Sequence, residues 1–201
     1  MLDRVLLPRI SPALNRAAQT LVRLGVGADA VSWAGFALGM AAAAMIATQH
    51  WAAGVALLLA SRLLDGLDGA VARASTPTDR GAFLDITLDF LFYASIPLAF
   101  ALADPPRNAL PAALLLAAFI GTGSSFLAFA ALAAKRGMAS AASPSKGLYY
   151  LGGLTEATET LACFVAMGLW PQAFPPLAYG FAALCMITLV ARLHAGWSLL
   201  R

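Results

Sequence analysis

The 201 residues include 13 Lys/Arg and 10 Asp/Glu, a formal net charge of +3, with 61% hydrophobic and 11% charged residues. A soluble domain is about 45–50% apolar and about 25% charged, so this composition excludes an ordinary water-facing surface and predicts an all-α integral membrane protein. The basic residues stand singly at the ends of apolar runs, with no basic block or aromatic ladder, so the partner is expected to be the lipid bilayer and its headgroups and not nucleic acid.

In chain order, Ser11-Pro12 predicts a helix start, with serine as N-cap and proline in the first turn, and Gly25 and Gly27 end the segment. Arg16 and Arg23 project to one side of it and Leu14, Ala17 and Leu21 to the other. Residues 1–27 are therefore read as an amphipathic helix lying in the membrane interface, ahead of a membrane domain over 28–201. The first apolar run, about 30–48, is too long for a signal peptide and lacks a cleavage site, and it is taken as a retained span.

Six apolar stretches follow one another, roughly 29–48, 51–72, 82–103, 109–134, 153–170 and 175–197, all long enough to span a bilayer, the fifth only marginally. The breaks at 49–50, 104–108 and 171–176 would share one side. The other side would hold both termini and the 73–81 and 135–152 connections. It would carry Arg4, Arg9, Arg16, Arg23, Arg62, Arg73, Arg80, Lys135, Arg136, Lys146, Arg192 and Arg201, against Arg107 alone opposite, which makes it cytoplasmic by the positive-inside rule. Cys163 and Cys185 sit inside apolar runs without a second ligand at metal spacing and read as buried thiols.

Carboxylates at or inside a membrane are costly and are functional candidates by default. Five of the ten acidic residues fall between 65 and 89: Asp65, Asp68, Asp79, Asp85 and Asp89. At 100° per residue, Asp65, Asp68, Gly69, Ala72 and Arg73 lie within about 140° of helix arc. Asp85 and Asp89, four apart, share a face of the next span. The short 73–81 connection makes the two spans adjacent and antiparallel, so that four aspartates converge near the cytoplasmic edge. Such a cluster repels itself unless a cation neutralises it. Hard oxygen donors with no His or Cys nearby favour Mg²⁺, or Mn²⁺ or Ca²⁺, and four carboxylates exceed what one Mg²⁺ usually takes from protein, so two ions are expected. Gly69 and Ala72 remove bulk where a ligand would approach, and Arg73 offers a fork for phosphate oxygens.

The pattern Asp65-x2-Asp68-Gly69-x2-Ala72-Arg73-x7-Gly81-x3-Asp85-x3-Asp89 resembles the signature of the CDP-alcohol phosphotransferases, matching eight fixed positions over 25 residues. The gap of seven before Gly81 is one shorter than in many members. Six spans, cytoplasmic termini and an interfacial helix before the first span are also family features. The resemblance implies transfer of a substituted phosphate from CDP-diacylglycerol or another CDP-alcohol to a small alcohol acceptor, such as glycerol 3-phosphate or inositol phosphate, with release of CMP. It implies that Asp65, Asp68 and Asp85 bind metal, Asp65 and Asp85 being shared between two ions, and that Asp89 binds the second ion and takes the acceptor's proton. Asp65, Gly69, Ala72, Arg73, Thr78 and Gly81 would meet the nucleotide. So would Asp29 and Ser32, in a stretch similar to the family's donor-contacting turn but with Ala-Asp in place of Pro-Asn. A homodimer in a bacterial-type inner membrane is implied as well.

Lys135, Arg136 and Lys146 are candidates for binding a phosphorylated acceptor, and topology alone also accounts for them. Glu156 and Glu159 could face the acceptor or merely complement a helix dipole. A membrane cation transporter would place its acidic residues near the midplane beside broken helices, whereas these lie in the cytoplasmic halves of unbroken runs. A non-catalytic lipid-binding protein is disfavoured by the presence of all four aspartates.

Overall fold

The computed structural model of the protein describes residues 3–138 and 154–200. It contains seven α-helices among those residues: α1 (Asp3–Arg23), α2 (Ala28–Ala47), α3 (Trp51–Ala74), α4 (Asp79–Ala103), α5 (Pro105–Lys135), α6 (Ala157–Leu169) and α7 (Phe174–Leu199), the last entered through a 3₁₀ turn at Pro171–Ala173. No strand occurs among the described residues. Four helices, α2, α4, α5 and the 171–199 segment, are long and apolar enough to cross a membrane. Helix α3 has the length but carries Arg62, Asp65, Asp68 and Arg73, and α6 is an apolar helix of only 13 residues.

Helix α1 starts earlier than Ser11-Pro12 predicts. Pro8 and Pro12 both lie inside it, at the cost of the backbone hydrogen bonds that their missing N–H groups cannot make, so Ser11-Pro12 does not mark its start. Its end agrees with the glycine signal: Gly25 takes φ 77°, a conformation that favours glycine. Its packing face is centred on buried Ala18, flanked by half-buried Leu14, Leu21 and Val22, while Ala17 joins Arg16 and Arg23 on the exposed side. This face meets Val31 of α2 and Ala70 and Val71 of α3 in a small core of its own.

The main core is built by α2 through α7 around Ile46, Leu58, Phe92, Ile96, Phe100, Leu115, Phe164 and Phe174. Trp51 stacks on Phe100 at 5.7 Å and Phe100 on Phe174 at 4.5 Å, so Trp51 is a packing residue, in contrast to exposed Trp170 and Trp197. The outer surface is apolar, with Leu91, Leu98 and Leu102 of α4, Leu110, Leu114 and Ile120 of α5, and Ile187 and Val190 of α7 all exposed. Apolar surface of that extent is what lipid, not water, would cover.

The expected direct packing of α3 on α4 is corrected by the structure. Helix α2 packs against both, while the α3 and α4 backbones hardly approach within 8 Å of one another. Two glycines of α2 make this possible. A Cβ on Gly35 would lie 3.2 Å from the Leu64 Cβ, and one on Gly39 would lie 2.6 Å from the Phe92 ring and 3.0 Å from the Ser61 hydroxyl. The space left between α3 and α4 opens at one end of the bundle.

The opposite end is tied together by polar contacts. Gln49 donates to the Ala103 carbonyl at 2.8 Å, and Arg107 donates to both the side-chain and backbone oxygens of Gln172. The three short breaks at 48–50, 104 and 170–173 thus gather at one end, as the sequence reading requires.

Candidate active site

Helix α3 presents Asp65 and Asp68 from its last turns, and α4 presents Asp85 and Asp89 from its second and third. The i, i+3 and i, i+4 spacings put each pair on one face. Helix α4 is started by Thr78, whose hydroxyl oxygen accepts from the Gly81 N–H at 3.0 Å, an N-cap that fixes the register and hence the direction of Asp85 and Asp89. One carboxylate oxygen each from Asp65, Asp68 and Asp85 lie within 4.8 Å of one another. At a Mg–O distance of about 2.1 Å, adjacent ligands of a six-coordinate Mg²⁺ stand about 3.0 Å apart and opposite ones about 4.2 Å. The trio is thus grouped on the scale of one coordination sphere, and its all-oxygen donor set fits a hard divalent cation.

Asp89 lies outside this trio but borders the same cleft, which is lined by Ser32, Gly35, Phe36, Arg62, Asp65, Asp68, Asp85, Leu88 and Asp89. Its Oδ1 accepts from the Arg62 guanidinium at 2.6 Å, and the same nitrogen lies 3.2 Å from an Asp65 oxygen. Asp68 is buried and Asp85 is exposed, so the cluster runs from the bundle interior to its mouth.

Of the nucleotide candidates, Ser32 and Asp65 line the cleft, while Asp29, Gly69, Ala72, Arg73, Thr78 and Gly81 belong to the same three helices or the α4 cap but are not among its lining residues. A Cβ on Gly69 would meet only the Arg73 guanidinium, at 3.3 Å, so the α3 surface beside Arg73 is otherwise open. Ala72 is half-buried on the same helix face. Asp29, in the first turn of α2, binds Arg80 at 2.5 Å, and its other oxygen would be 3.3 Å from a Cβ on Gly81, so glycine there lets the starts of α2 and α4 approach. Ser32 lines the cleft and donates to the Ala28 carbonyl at 3.1 Å. The Thr78 hydroxyl serves as the α4 cap described above.

Lys135 and Arg136 are exposed at the end of α5 and are not among the cleft-lining residues; Lys146 lies outside the described residues. Glu156 occupies the N-cap position of α6 and Glu159 its first turn. Sequence reasoning missed Arg62, which it counted only among the basic residues of one side. Arg62 lies 60° from Asp65 on the helical wheel, inside the same arc as Gly69 and Arg73, and this was the signal available.

Fold and site together define a helical membrane protein with a carboxylate cleft suited to a divalent cation. The family model for CDP-alcohol phosphatidyltransferases matches residues 26–194, and the chain belongs to that family. It is 50% identical over 201 residues to the inner membrane protein YnjF of Escherichia coli, covering all of this chain and 98% of that one. It is 39% identical over 92 residues to an archaetidylinositol phosphate synthase of Methanothermobacter thermautotrophicus, covering 45% of this chain and 47% of that protein. The Mycobacterium tuberculosis phosphatidylinositol phosphate synthase PgsA1 has the same fold. Its structure with CDP-DAG bound gives a TM-score of 0.74 at 24% identity, covering 92% of this chain and 93% of that one. Its complex with manganese and citrate gives 0.71 at 25% identity, covering 92% and 88%.

Proposed function

We propose that the protein transfers a phosphatidyl or related substituted phosphate group from a CDP-linked donor, CDP-diacylglycerol by preference, to a small alcohol such as glycerol 3-phosphate or inositol phosphate, releasing CMP. The observation that carries this reading is the carboxylate trio with Asp89 beside it, in a cleft that opens between α2, α3 and α4. Asp65, Asp68 and Asp85 would hold one Mg²⁺ or Mn²⁺, and Asp89, with Asp65 and Asp85, would hold a second. When bound, the ions neutralise the donor's pyrophosphate and the charge that develops in an in-line displacement. Membership of the family and the manganese complex of the PgsA1 neighbour support this assignment.

The chain's own residues do the rest. Gly69 and Ala72 leave α3 flat for the cytidine nucleotide, Arg73 pairs with its phosphate oxygens, and Asp29, Ser32, Thr78 and Gly81 complete the nucleotide contacts. Asp89 accepts the proton of the acceptor hydroxyl, which is a poor nucleophile until that proton leaves. Lys135, Arg136 and Lys146 attract a phosphorylated acceptor to this side.

The reading places residues 28–201 in the membrane as six spans, with α3 and α6 completing the four longer apolar helices, and residues 1–27 as an interfacial helix. Both termini and the cleft are cytoplasmic, in a bacterial inner membrane, and the unit is a homodimer. The inner-membrane relative of nearly equal length supports the location. The test is to incubate purified protein with CDP-diacylglycerol, Mg²⁺ or Mn²⁺ and a panel of alcohols, and to identify the lipid product by mass spectrometry. A new headgroup-bearing lipid with one alcohol is expected. An unchanged donor with every alcohol and both metals would instead favour a non-catalytic lipid-binding role.

A further inference from the structure

Arg62 is an internal cation inside the carboxylate cleft. Its side chain is 10% exposed, and its guanidinium carbon lies 3.7 Å from the centroid of the Phe92 ring. One nitrogen reaches both Asp89, at 2.6 Å, and Asp65, at 3.2 Å, and the other lies 3.3 Å from the Ser61 hydroxyl, which itself donates to the Gly35 carbonyl at 2.7 Å. The arginine is thus fixed from three helices: by its own α3, by Phe92 and Asp89 of α4, and through Ser61 by α2. Asp85 and Asp89 share α4, so this ionic bridge ties the Asp89 carboxylate to Asp65 of α3 across the gap that the two backbones leave.

We propose that Arg62 is a positioning residue that acts through Asp89. It holds Oδ1, leaving the other oxygen directed by that hold, and its charge compensates Asp65 and Asp89 so that four carboxylates can share one cleft. This proposal rests on Asp89 being the proton acceptor. A planar guanidinium can stack on Phe92 while donating in its own plane to a carboxylate, whereas a lysine ammonium keeps the charge but has no plane with which to do both in fixed geometry.

The test compares Arg62→Gln and Arg62→Lys with the wild type, each alone and combined with Asp89→Asn, by steady-state kinetics with CDP-diacylglycerol and by thermal unfolding in detergent. Arg62→Gln is expected to lower kcat by on the order of 10- to 10²-fold through misplacement of the base, with KM for CDP-diacylglycerol little changed, and Arg62→Lys to recover part of the loss. In the Asp89→Asn background, Arg62→Gln should cost nothing further, because its effect passes through the missing carboxylate. The unfolding midpoints should likewise be non-additive across the cycle, a readout that needs no activity. An equal fold-loss with and without Asp89, or an unchanged kcat in Arg62→Gln, overturns the proposal. If Asp89→Asn alone turns over at the wild-type rate, the base assignment fails; non-additive midpoints would then uphold the pairing of Arg62 with Asp89, and additive ones would overturn that too.

Discussion

Asp89 differs from the other three carboxylates in its surroundings. Asp65, Asp68 and Asp85 bring oxygens within 4.8 Å of one another, whereas Asp89 is held to one side by Arg62. A residue at the edge of the cluster should affect chemistry more than donor binding. Asp89→Asn is expected to lower the single-turnover rate by on the order of 10²-fold or more, as for loss of a general base, while CDP-lipid binding weakens at most modestly. Nucleotide binding and rapid-quench rates in the same preparation check this; lost binding with a wild-type rate in the bound fraction would make Asp89 a ligand only. The aspartates could be read from the sequence because a charge in an apolar run has few explanations, and helix periodicity places it on a face. Arg62 was not legible in the same way. A basic residue near the cytoplasmic end of a span is already accounted for by topology, and its ion pair with Asp89 spans 27 residues of chain and depends on how α3 and α4 are spaced.

The six apolar stretches match α2 to α7 to within a few residues at most ends, since length and hydrophobicity decide where a membrane helix can run. The fourth and fifth differ most, each by four residues at its start: α5 begins earlier, at Pro105, and α6 later, at Ala157, which leaves it 13 residues. How helices pack was less legible, because small residues act through what they admit and not through what they contact. Gly39 admits Phe92 and Ser61, and so brings α2 against both helices that carry the aspartates. Gly39→Ala would force a Cβ to 2.6 Å from a fully buried ring that also carries Arg62. It should destabilise the bundle by about 1–3 kcal/mol, the usual cost of overpacking. A lower unfolding midpoint in detergent is the check. An unchanged midpoint would mean that the α2–α4 contact yields without cost.

Across the whole molecule, the cleft and the Gln49–Ala103 and Arg107–Gln172 ties lie at opposite ends of the bundle. One end should therefore face the cytoplasm and the other the outside. Asn108 is buried and donates to the Phe100 carbonyl at 2.9 Å, so exposed Pro106, in the first turn of α5, is the labelling position at that end of the bundle. In a background lacking Cys163 and Cys185, Pro106→Cys should react with an impermeant maleimide in intact cells, and Arg80→Cys only after lysis. The reverse pattern would invert the topology. The central claim, that the carboxylate cleft performs metal-dependent transfer from a CDP-linked donor, is tested most directly by CMP release from CDP-diacylglycerol in the presence of the accepted alcohol. The account predicts release with Mg²⁺ or Mn²⁺, loss in excess EDTA and its return when metal is restored, and no release by folded Asp85→Asn; full release in EDTA, or by Asp85→Asn, would contradict it.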